Sequence, residues 1–194
     1  DAELALPEHL RKYKGRVVFQ GNQVKDENWD IALFTEMGSS PASLQSSKIV
    51  AFNSVRRNHV CEVADAASAY TQAYLGGTET WVRLPPDRWE PGWAHKYTQP
   101  VVKLVRALYG HPDSGGYWEE HCDKHLTAVG FTKIAGWDST YWHPKHDVLM
   151  TVYVDDFLAS GPPEGCARCW SLATGYSDYC PGGLDMGKVE TVDR

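Results

Sequence analysis

Two adjacent aspartates, Asp155 and Asp156, lie between two apolar runs in the stretch VLMTVYVDDFLASG. Like charges side by side repel each other, and desolvating a carboxylate is costly, so solvent or a cation must offset that cost. One alternative is purely structural, because aspartate is common in the turns of β-hairpins. The other is a metal site, in which the carboxylates lie at the exposed tip of a rigid apolar hairpin.

A third carboxylate, Asp65, ends another apolar segment, CEVAD. If its strand neighbours the hairpin in one sheet, Asp65 and Asp155 converge on one point. Convergent carboxylates suit Mg²⁺, which prefers oxygen ligands. Two such ions about 3.5–4 Å apart clamp the attacking and leaving oxygens of a phosphoryl transfer. The spacing of these residues does not decide between a structural hairpin turn and a metal site.

The composition is that of a globular protein, with 194 residues, 42% hydrophobic residues and a net charge of −6. The negative charge argues against a broadly basic nucleic-acid surface, although the segment RKYKGRVVFQGNQVK is locally basic. No apolar run reaches the roughly 18 residues of a membrane-spanning helix, and the start, DAELALPEHL, does not resemble a secretory signal. We therefore expect an intracellular protein, in a cytoplasmic particle or the nucleus, that is not secreted and makes no membrane contact.

The pattern of apolar residues predicts an α+β fold, with an antiparallel sheet and helices on one side of it. Residues 11–25 predict a short hairpin. Ser40-Pro41 predicts the start of a helix that extends to about Arg57. Predicted strands are HVCEVAD, ETWVRLPP, QPVVKLVRALYG, STYWHP, DVLMTVYV and DFLASG, and a further helix is expected within GCARCWSLATGYSDYC.

Two predicted helices carry most of the apolar periodicity outside the strands. In the first, the residues at helical spacing are Leu44, Ala51, Phe52 and Val55. In the second, Ser114 is the expected cap and Gly130 lies just beyond the end, where a C-terminal glycine belongs. One face of this second helix carries Trp118, Cys122, Leu126 and Val129.

Several motifs, in order along the chain, resemble the reverse transcriptase of copia-type LTR retrotransposons. YVDD between apolar strands resembles the catalytic hairpin of reverse transcriptases, and YKGRVVFQGNQVK resembles the opening block of the copia-type family. The further matching blocks are VADAASAYTQAYLGG, VRLPPDRW, VVKLVRALYGHPDSGGYWEEHCDKHLTAVGF, DSTYWHP and TVYVDDFLASG. The resemblance runs from about Arg11 to the C-terminus, and the shared order of the blocks makes it specific.

The resemblance implies a reverse-transcriptase fingers/palm fold, with an antiparallel palm sheet backed by helices. Residues 1–59 would be fingers-like and residues 60–194 palm-like, truncated before the thumb and RNase H parts. The implied activity is that of a nucleotidyltransferase, an RNA-directed DNA polymerase that adds deoxynucleotides to a primer with two Mg²⁺ ions. Implied partners are an RNA template, a DNA primer, deoxynucleoside triphosphates and the remainder of a polyprotein.

The resemblance also implies roles for individual residues. Tyr70 matches the aromatic residue that packs under the sugar and rejects a 2′-hydroxyl. Lys14 and Arg16 match basic residues that hold the triphosphate, together with the backbone after the first strand. The implied site residues are Asp65, Asp155 and Asp156 for catalysis and Mg²⁺ binding; Lys14, Arg16, Ala66, Ala67, Ser68 and Tyr70 for the nucleotide; and Gly110, Asp113 and Tyr153 for the template and nucleotide region.

Four positions depart from the family pattern. Gln20 replaces a lysine of the fingers strand, and Pro112, Asp113 and Gly116 replace a lysine, a glutamine and an arginine. The last three changes remove two cations and add an anion where phosphates are expected, which is electrostatically unfavourable. The alternative function is therefore a catalytically inactive, truncated retrotransposon remnant that at most binds nucleic acid.

A zinc-dependent interaction module is a further hypothesis from a different class. Cys166 and Cys169 have the spacing of half a zinc site, and Cys180 follows. His121 and His125 share a helical face beside Cys122. The competing interpretation is that the thiols are buried and the histidines lie on the surface.

Overall fold

The structure is a computed structural model that describes residues 15–32 and 38–192, together with the isolated residues Pro7, His9 and Phe34. Its helices are α1 (Leu44–Asn53), α2 (Ala69–Gln72), α3 (Trp93–Lys96), α4 (Ser114–Ala128) and α5 (Pro163–Ala173). Its strands are β1 (Val60–Asp65), β2 (Trp81–Arg83), β3 (Val101–Lys103), β4 (Thr132–Lys133), β5 (Thr140–His143), β6 (Val148–Tyr153), β7 (Asp156–Gly161) and β8 (Glu190–Thr191). Across the described ranges, no helix has the length and hydrophobicity needed to cross a bilayer.

The main sheet has six strands in the order β4-β5-β6-β7-β1-β8, and every pairing in it is antiparallel. Strands β2 and β3 form a separate two-stranded ribbon. The mixed helix and antiparallel-sheet class predicted from the sequence is confirmed. A strand occurs within each predicted segment, although QPVVKLVRALYG contains only the three-residue β3. The short strands β4 and β8 were not predicted.

The helices lie on both faces of the sheet, so the expectation that they lie on one side is wrong. Trp118 of α4 shares a cleft with Tyr141 and Val152. On the other face, Val50 of α1 lines a cleft with Thr140 and Leu149. Because successive residues of a strand point to opposite faces, neighbouring residues such as Thr140 and Tyr141 contact different helices.

Helix α1 begins three residues later than predicted, and it turns a different face to the sheet. Ser43 is the N-cap, and its hydroxyl oxygen accepts the Ser46 N–H at 3.1 Å. The buried residues are Ser46 and Val50, whereas Leu44, Phe52 and Val55 are exposed. Helical spacing identifies residues on one face but does not say which face the sheet will cover.

The predicted hairpin over residues 11–25 is absent from the described residues of that segment. A short 3₁₀ turn at Gly21–Gln23 occurs there instead. The Phe19 N–H donates to the Tyr109 carbonyl at 2.7 Å, so the segment pairs with the loop before α4 rather than with itself. Residues 11–14 lie outside the described residues.

Helix α4 is confirmed, although its cap differs. Asp113 is the N-cap residue, while the Ser114 hydroxyl donates to the Leu108 carbonyl at 2.8 Å. The predicted core positions Trp118, Cys122 and Leu126 are buried. Gly130 follows with φ +104°, which is the left-handed conformation that a glycine after a helix adopts readily.

His125 of α4 links this helix to the end of α5. Its Nε2–H donates to the Ala173 carbonyl at 2.7 Å, and its Nδ1 accepts the Ser177 hydroxyl at 2.7 Å. The first partner can only accept, so it fixes the neutral tautomer. Burial is the main reason that the pKa of His125 lies below its usual value.

We expect the domain to lose stability as the pH falls below about 6.5, the ordinary histidine pKa. Burial lowers the pKa of four histidines in the folded protein, His111, His121, His125 and His143. The unfolded chain therefore binds more protons below this pH, and each histidine can lower the free energy of unfolding by up to about 1.4 kcal/mol per pH unit. Asp156 opposes this trend, because its raised pKa makes the folded protein bind a proton more readily than the unfolded chain does as the pH falls.

Urea unfolding at pH 7.5, 6.5 and 5.5 measures this effect. His125→Gln keeps a neutral donor and acceptor, so its pH dependence should be shallower than that of the unmodified chain. Equal unfolding free energies at the three pH values would contradict the prediction.

Candidate active site

The three predicted catalytic carboxylates lie at one end of the sheet, where β6, β7 and β1 are adjacent. Asp65, the last residue of β1, is paired in register with Asp156, the first residue of β7. Asp155 lies in the two-residue turn between β6 and β7, and its carbonyl accepts the Ala66 N–H at 2.7 Å. The strand that ends at Asp65 therefore neighbours the hairpin, which is the condition that the sequence analysis set for bringing Asp65 and Asp155 together.

The carboxylates interact electrostatically with one another. The pKa of Asp156 lies above its usual value, first because of burial and then because of the negative charges of Asp155 and Asp65. A hydrogen bond between the side chains of Asp65 and Asp156 raises it further. Such a cluster of acidic oxygens attracts cations, and hard divalent ions suit it chemically.

The described residues contain no group of three or more histidine, cysteine, aspartate or glutamate side chains already arranged to hold a metal ion. The carboxylates are thus adjacent without enclosing a formed cage. Binding of Mg²⁺ by Asp65, Asp155 and Asp156 remains a prediction.

The turn that carries Asp155 has a strained backbone. Val154 has φ +59°, a left-handed conformation that is unusual for a β-branched residue. Such a residue costs on the order of 1–3 kcal/mol and persists only where its surroundings hold it. The Trp118 indole N–H donates to the Val154 carbonyl at 2.6 Å, which supplies one such support.

Tyr70 lies beside the carboxylates and packs against a second tyrosine. Its ring centroid is 4.6 Å from that of Tyr109. Burial, then Tyr109 and then the charge of Asp155 raise the pKa of Tyr70. Arg16 lies over the other tyrosine, with its Cζ 5.7 Å from the Tyr109 ring centroid. Tyr109 thus contacts both predicted nucleotide residues, Tyr70 and Arg16, and Tyr70 also interacts with Asp155.

The loop after β1 is held by hydrogen bonds that already occupy two of its amides. The Ala66 N–H donates to Asp155, and the Ala67 N–H donates to the Asp185 carbonyl at 2.8 Å. Ser68 adopts a left-handed conformation with φ +50°. Contact of this backbone with phosphates stays a prediction, and for Ala66 and Ala67 it would require their N–H groups to leave these acceptors.

Gln72 joins this loop to the segment around Asp185. Its amide nitrogen donates to the Ala67 and Asp185 carbonyls at 2.9 Å each, and its amide oxygen accepts the Asp185 N–H at 2.9 Å. Nothing in the sequence pattern marked Gln72. Tyr109 was also missed, although it lies within the ALYG motif that resembles the family.

The three residues predicted near the template and nucleotide lie at different places around this end of the sheet. Tyr153 is exposed and is paired with Asp156 across the turn. Gly110 has φ +89° and lies against the Phe19 carbonyl. Asp113 is the N-cap residue of α4, where a negative charge interacts favourably with the helix dipole. Lys14 lies outside the described residues.

The zinc hypothesis is wrong for the residues that the structure describes, which include all six proposed ligands, because they form no metal-binding group. The cysteines are free and buried, and burial raises the pKa of Cys166 and of Cys169 to about 12. His125 is buried too, with both ring nitrogens occupied by protein partners.

Comparison with known proteins identifies a family and a relative with similar sequences. Residues 7–166 match the family described as reverse transcriptase (RNA-dependent DNA polymerase). The retrovirus-related Pol polyprotein from transposon RE1 of Arabidopsis thaliana is 28% identical over an alignment of 158 residues, and the match covers 78% of this chain and 10% of the relative. This chain thus spans about a tenth of the length of that relative.

Among solved structures, a chain from the structure of telomerase from Candida albicans in complex with a fragment of telomeric RNA aligns with 83% of this chain and 32% of its own length. The TM-score is 0.38 and the identity 12%, so no argument rests on this similarity. The family match covers most of the chain and includes the three aspartates. This protein belongs to the reverse transcriptase (RNA-dependent DNA polymerase) family.

Proposed function

We propose that this chain is the reverse transcriptase domain of a retrotransposon Pol polyprotein and that it adds deoxynucleotides to a DNA primer along an RNA template. The observation that carries the proposal is the pairing of β1 with β7, which sets Asp65 opposite Asp156 beside the turn with Asp155. The family match and the similarity to a transposon Pol polyprotein support it. An intracellular location and a division into fingers-like residues 1–59 and palm-like residues 60–194 belong to the same proposal.

The donor set at this end of the sheet fits Mg²⁺. Asp65, Asp155 and Asp156 offer only hard, anionic oxygen atoms, and their mutual repulsion is relieved when cations bind. When bound, two Mg²⁺ ions would lower the pKa of the primer hydroxyl and neutralise charge on the triphosphate. Asp65 and Asp155 would be the principal ligands, with Asp156 adding negative charge beside them.

The residues around the aspartates fit a deoxynucleotide. The Tyr70 ring is held by Tyr109, so it presents a flat surface that offers a 2′-hydroxyl no partner. Arg16 is exposed and carries the positive charge that a triphosphate requires. Lys14 would act with Arg16 on the same phosphates.

Primer extension on an RNA template with Mg²⁺ and deoxynucleotides tests the proposal. The unmodified chain should incorporate nucleotides, and it should do so poorly with ribonucleotides. Absence of incorporation by this chain, and by a form extended beyond Arg194, would contradict it.

The inactive remnant is the second candidate function, and the surroundings of Asp113 favour it. Asp113 is the N-cap residue of α4, a position where a negative charge is favourable, although its side chain makes no capping hydrogen bond. Gly116 is buried in the first turns of the same helix, a position where a long arginine side chain is hard to place. The fold thus accommodates two of the departures from the family pattern.

If the chain is active, Asp113→Gln should lower its KM for the nucleotide roughly three- to tenfold, the factor to which about 1 kcal/mol corresponds. The reason is the loss of an anion from the region expected to receive phosphates. Steady-state kinetics measure the effect, and Asp113→Asn is the matched control because it also removes the charge. If the nucleotide KM falls in Asp113→Gln but not in Asp113→Asn, the effect comes from the hydrogen bonds of the glutamine side chain. If the KM is unchanged in both variants, the electrostatic argument is contradicted.

A further inference from the structure

Both carbonyl groups of the turn between β6 and β7 accept hydrogen bonds from outside the hairpin. The Val154 carbonyl accepts the Trp118 indole N–H at 2.6 Å, and the Asp155 carbonyl accepts the Ala66 N–H at 2.7 Å. The first donor comes from α4 and the second from the residue after β1. Helix α4 thus holds the Val154–Asp155 peptide, and the residue after β1 holds the next peptide, Asp155–Asp156.

The left-handed conformation of Val154 makes these supports important. A β-branched residue with φ +59° tends to relax to a negative φ, which would rotate the following peptide. Because that peptide joins Val154 to Asp155, its rotation would redirect the Asp155 carboxylate. Among the described residues, the side chain that donates a hydrogen bond to this peptide is that of Trp118, which is 2% exposed.

We propose that Trp118 is a positioning residue for nucleotide addition, which acts through its indole N–H by fixing the Val154–Asp155 peptide and thereby the direction of the Asp155 carboxylate. This inference rests on the proposed function, since it concerns the carboxylate that the proposal makes catalytic. Trp118 touches no reacting atom. Its contribution is the geometry of the turn, to which reaction rates are sensitive at the scale of 1 Å.

A competing role for Trp118 is packing alone. Its ring lines a cleft with Tyr70, Tyr141 and Val152. Packing requires the volume of the ring, whereas positioning requires the N–H group. The two roles are separated by the tryptophan isostere 3-benzothienylalanine, in which sulfur replaces the N–H while the bicyclic shape is kept.

Trp170 provides a matched control. It is 6% exposed, and its indole N–H donates to the Glu62 carboxylate at 2.7 Å. Glu62 belongs to β1, three residues before Asp65. The same isostere at Trp170 therefore removes a buried indole hydrogen bond of similar length from the same sheet, without affecting the turn.

The experiment introduces the isostere at Trp118 or at Trp170 and measures kcat, nucleotide KM and melting temperature, together with amide hydrogen exchange at Ala66. We expect kcat to fall at least about tenfold for the Trp118 isostere only, with similar KM and melting temperature in both proteins. We also expect exchange of the Ala66 N–H to accelerate about tenfold for the Trp118 isostere only. Adding Val154→Gly to the Trp118 isostere should recover part of kcat, because glycine adopts this φ without strain.

The outcomes separate this inference from the proposed function. If the unmodified protein shows no incorporation, the proposed function fails. Faster exchange of the Ala66 N–H in the Trp118 isostere would still show that the indole N–H of Trp118 holds the turn. If the protein is active but both isosteres have equal kcat and equal Ala66 exchange, Trp118 acts by packing and the inference is overturned.

Discussion

Asp155→Asn should reduce nucleotide incorporation about a thousandfold or more, which corresponds to the loss of at least about 4 kcal/mol of transition-state stabilisation. Asparagine has nearly the same shape, and the hydrogen bond from Ala66 reaches the backbone carbonyl of Asp155 rather than its side chain. The substitution therefore removes charge and leaves the turn in place. Mg²⁺ binding by the carboxylates depends on that charge.

The folded state should tolerate Asp155→Asn. The charge of Asp155 raises the pKa of Asp156, so the two carboxylates repel each other in the folded chain. We expect the free energy of unfolding to stay equal or to rise by up to about 1 kcal/mol, a pattern typical of functional charges that cost stability. Thermal unfolding and primer extension, measured on the same preparation, check both parts.

Asp185→Asn is the matched control for this substitution. Asp185 lies near the same end of β1 and contacts the loop there through its backbone groups. Its neutralisation should leave incorporation within about twofold, because its side chain carries no role in the proposed reaction. Equal activity of the two variants would contradict the assignment of Asp155 as a metal ligand.

Gly110→Ala should destabilise the protein by about 2–4 kcal/mol and raise the nucleotide KM. Gly110 has φ +89°, which an alanine adopts with strain, and a Cβ there would overlap with the Phe19 carbonyl. The Phe19 backbone would have to move, and its hydrogen bond to the Tyr109 carbonyl would break. Arg16, three residues earlier, would then lose its place over the Tyr109 ring.

Gly92→Ala measures the cost of backbone strain without steric overlap, so the difference between the two variants gives the cost of the overlap at Gly110. Gly92 has the same φ, +89°, but a Cβ there meets no atom within 4 Å. Backbone strain alone should cost about 1 kcal/mol, and nucleotide KM should not change. Urea unfolding and steady-state kinetics of both variants provide the measurement, and equal losses in the two would show that contact between Gly110 and Phe19 contributes nothing.

The sequence by itself determined the elements that carry the site. Apolar runs that end at Asp65 and at Asp155-Asp156 predict strands with carboxylates at their ends, since period and turn residues are local properties. The sequence left open whether these strands are neighbours, and the structure shows that β1 pairs with β7. The antiparallel class of the sheet and the position of α4 were also predicted, because apolar period and turn residues can be read from the local sequence.

Only the tertiary structure decided what surrounds these elements. Periodicity placed Leu44, Phe52 and Val55 on one face of α1, but the sheet covers the face with Ser46 and Val50 instead. Local pattern also predicted a hairpin where Phe19 in fact bonds to Tyr109.

The contact of greatest consequence for the site is also non-local. Trp118 and Val154 are 36 residues apart, and their hydrogen bond exists because α4 packs across the sheet beside the turn. Sequence analysis found Trp118 as a core residue and Val154 as a member of the YVDD motif. Which carbonyl the indole N–H reaches depends on how helix and sheet dock, and local propensity contains no information about that geometry.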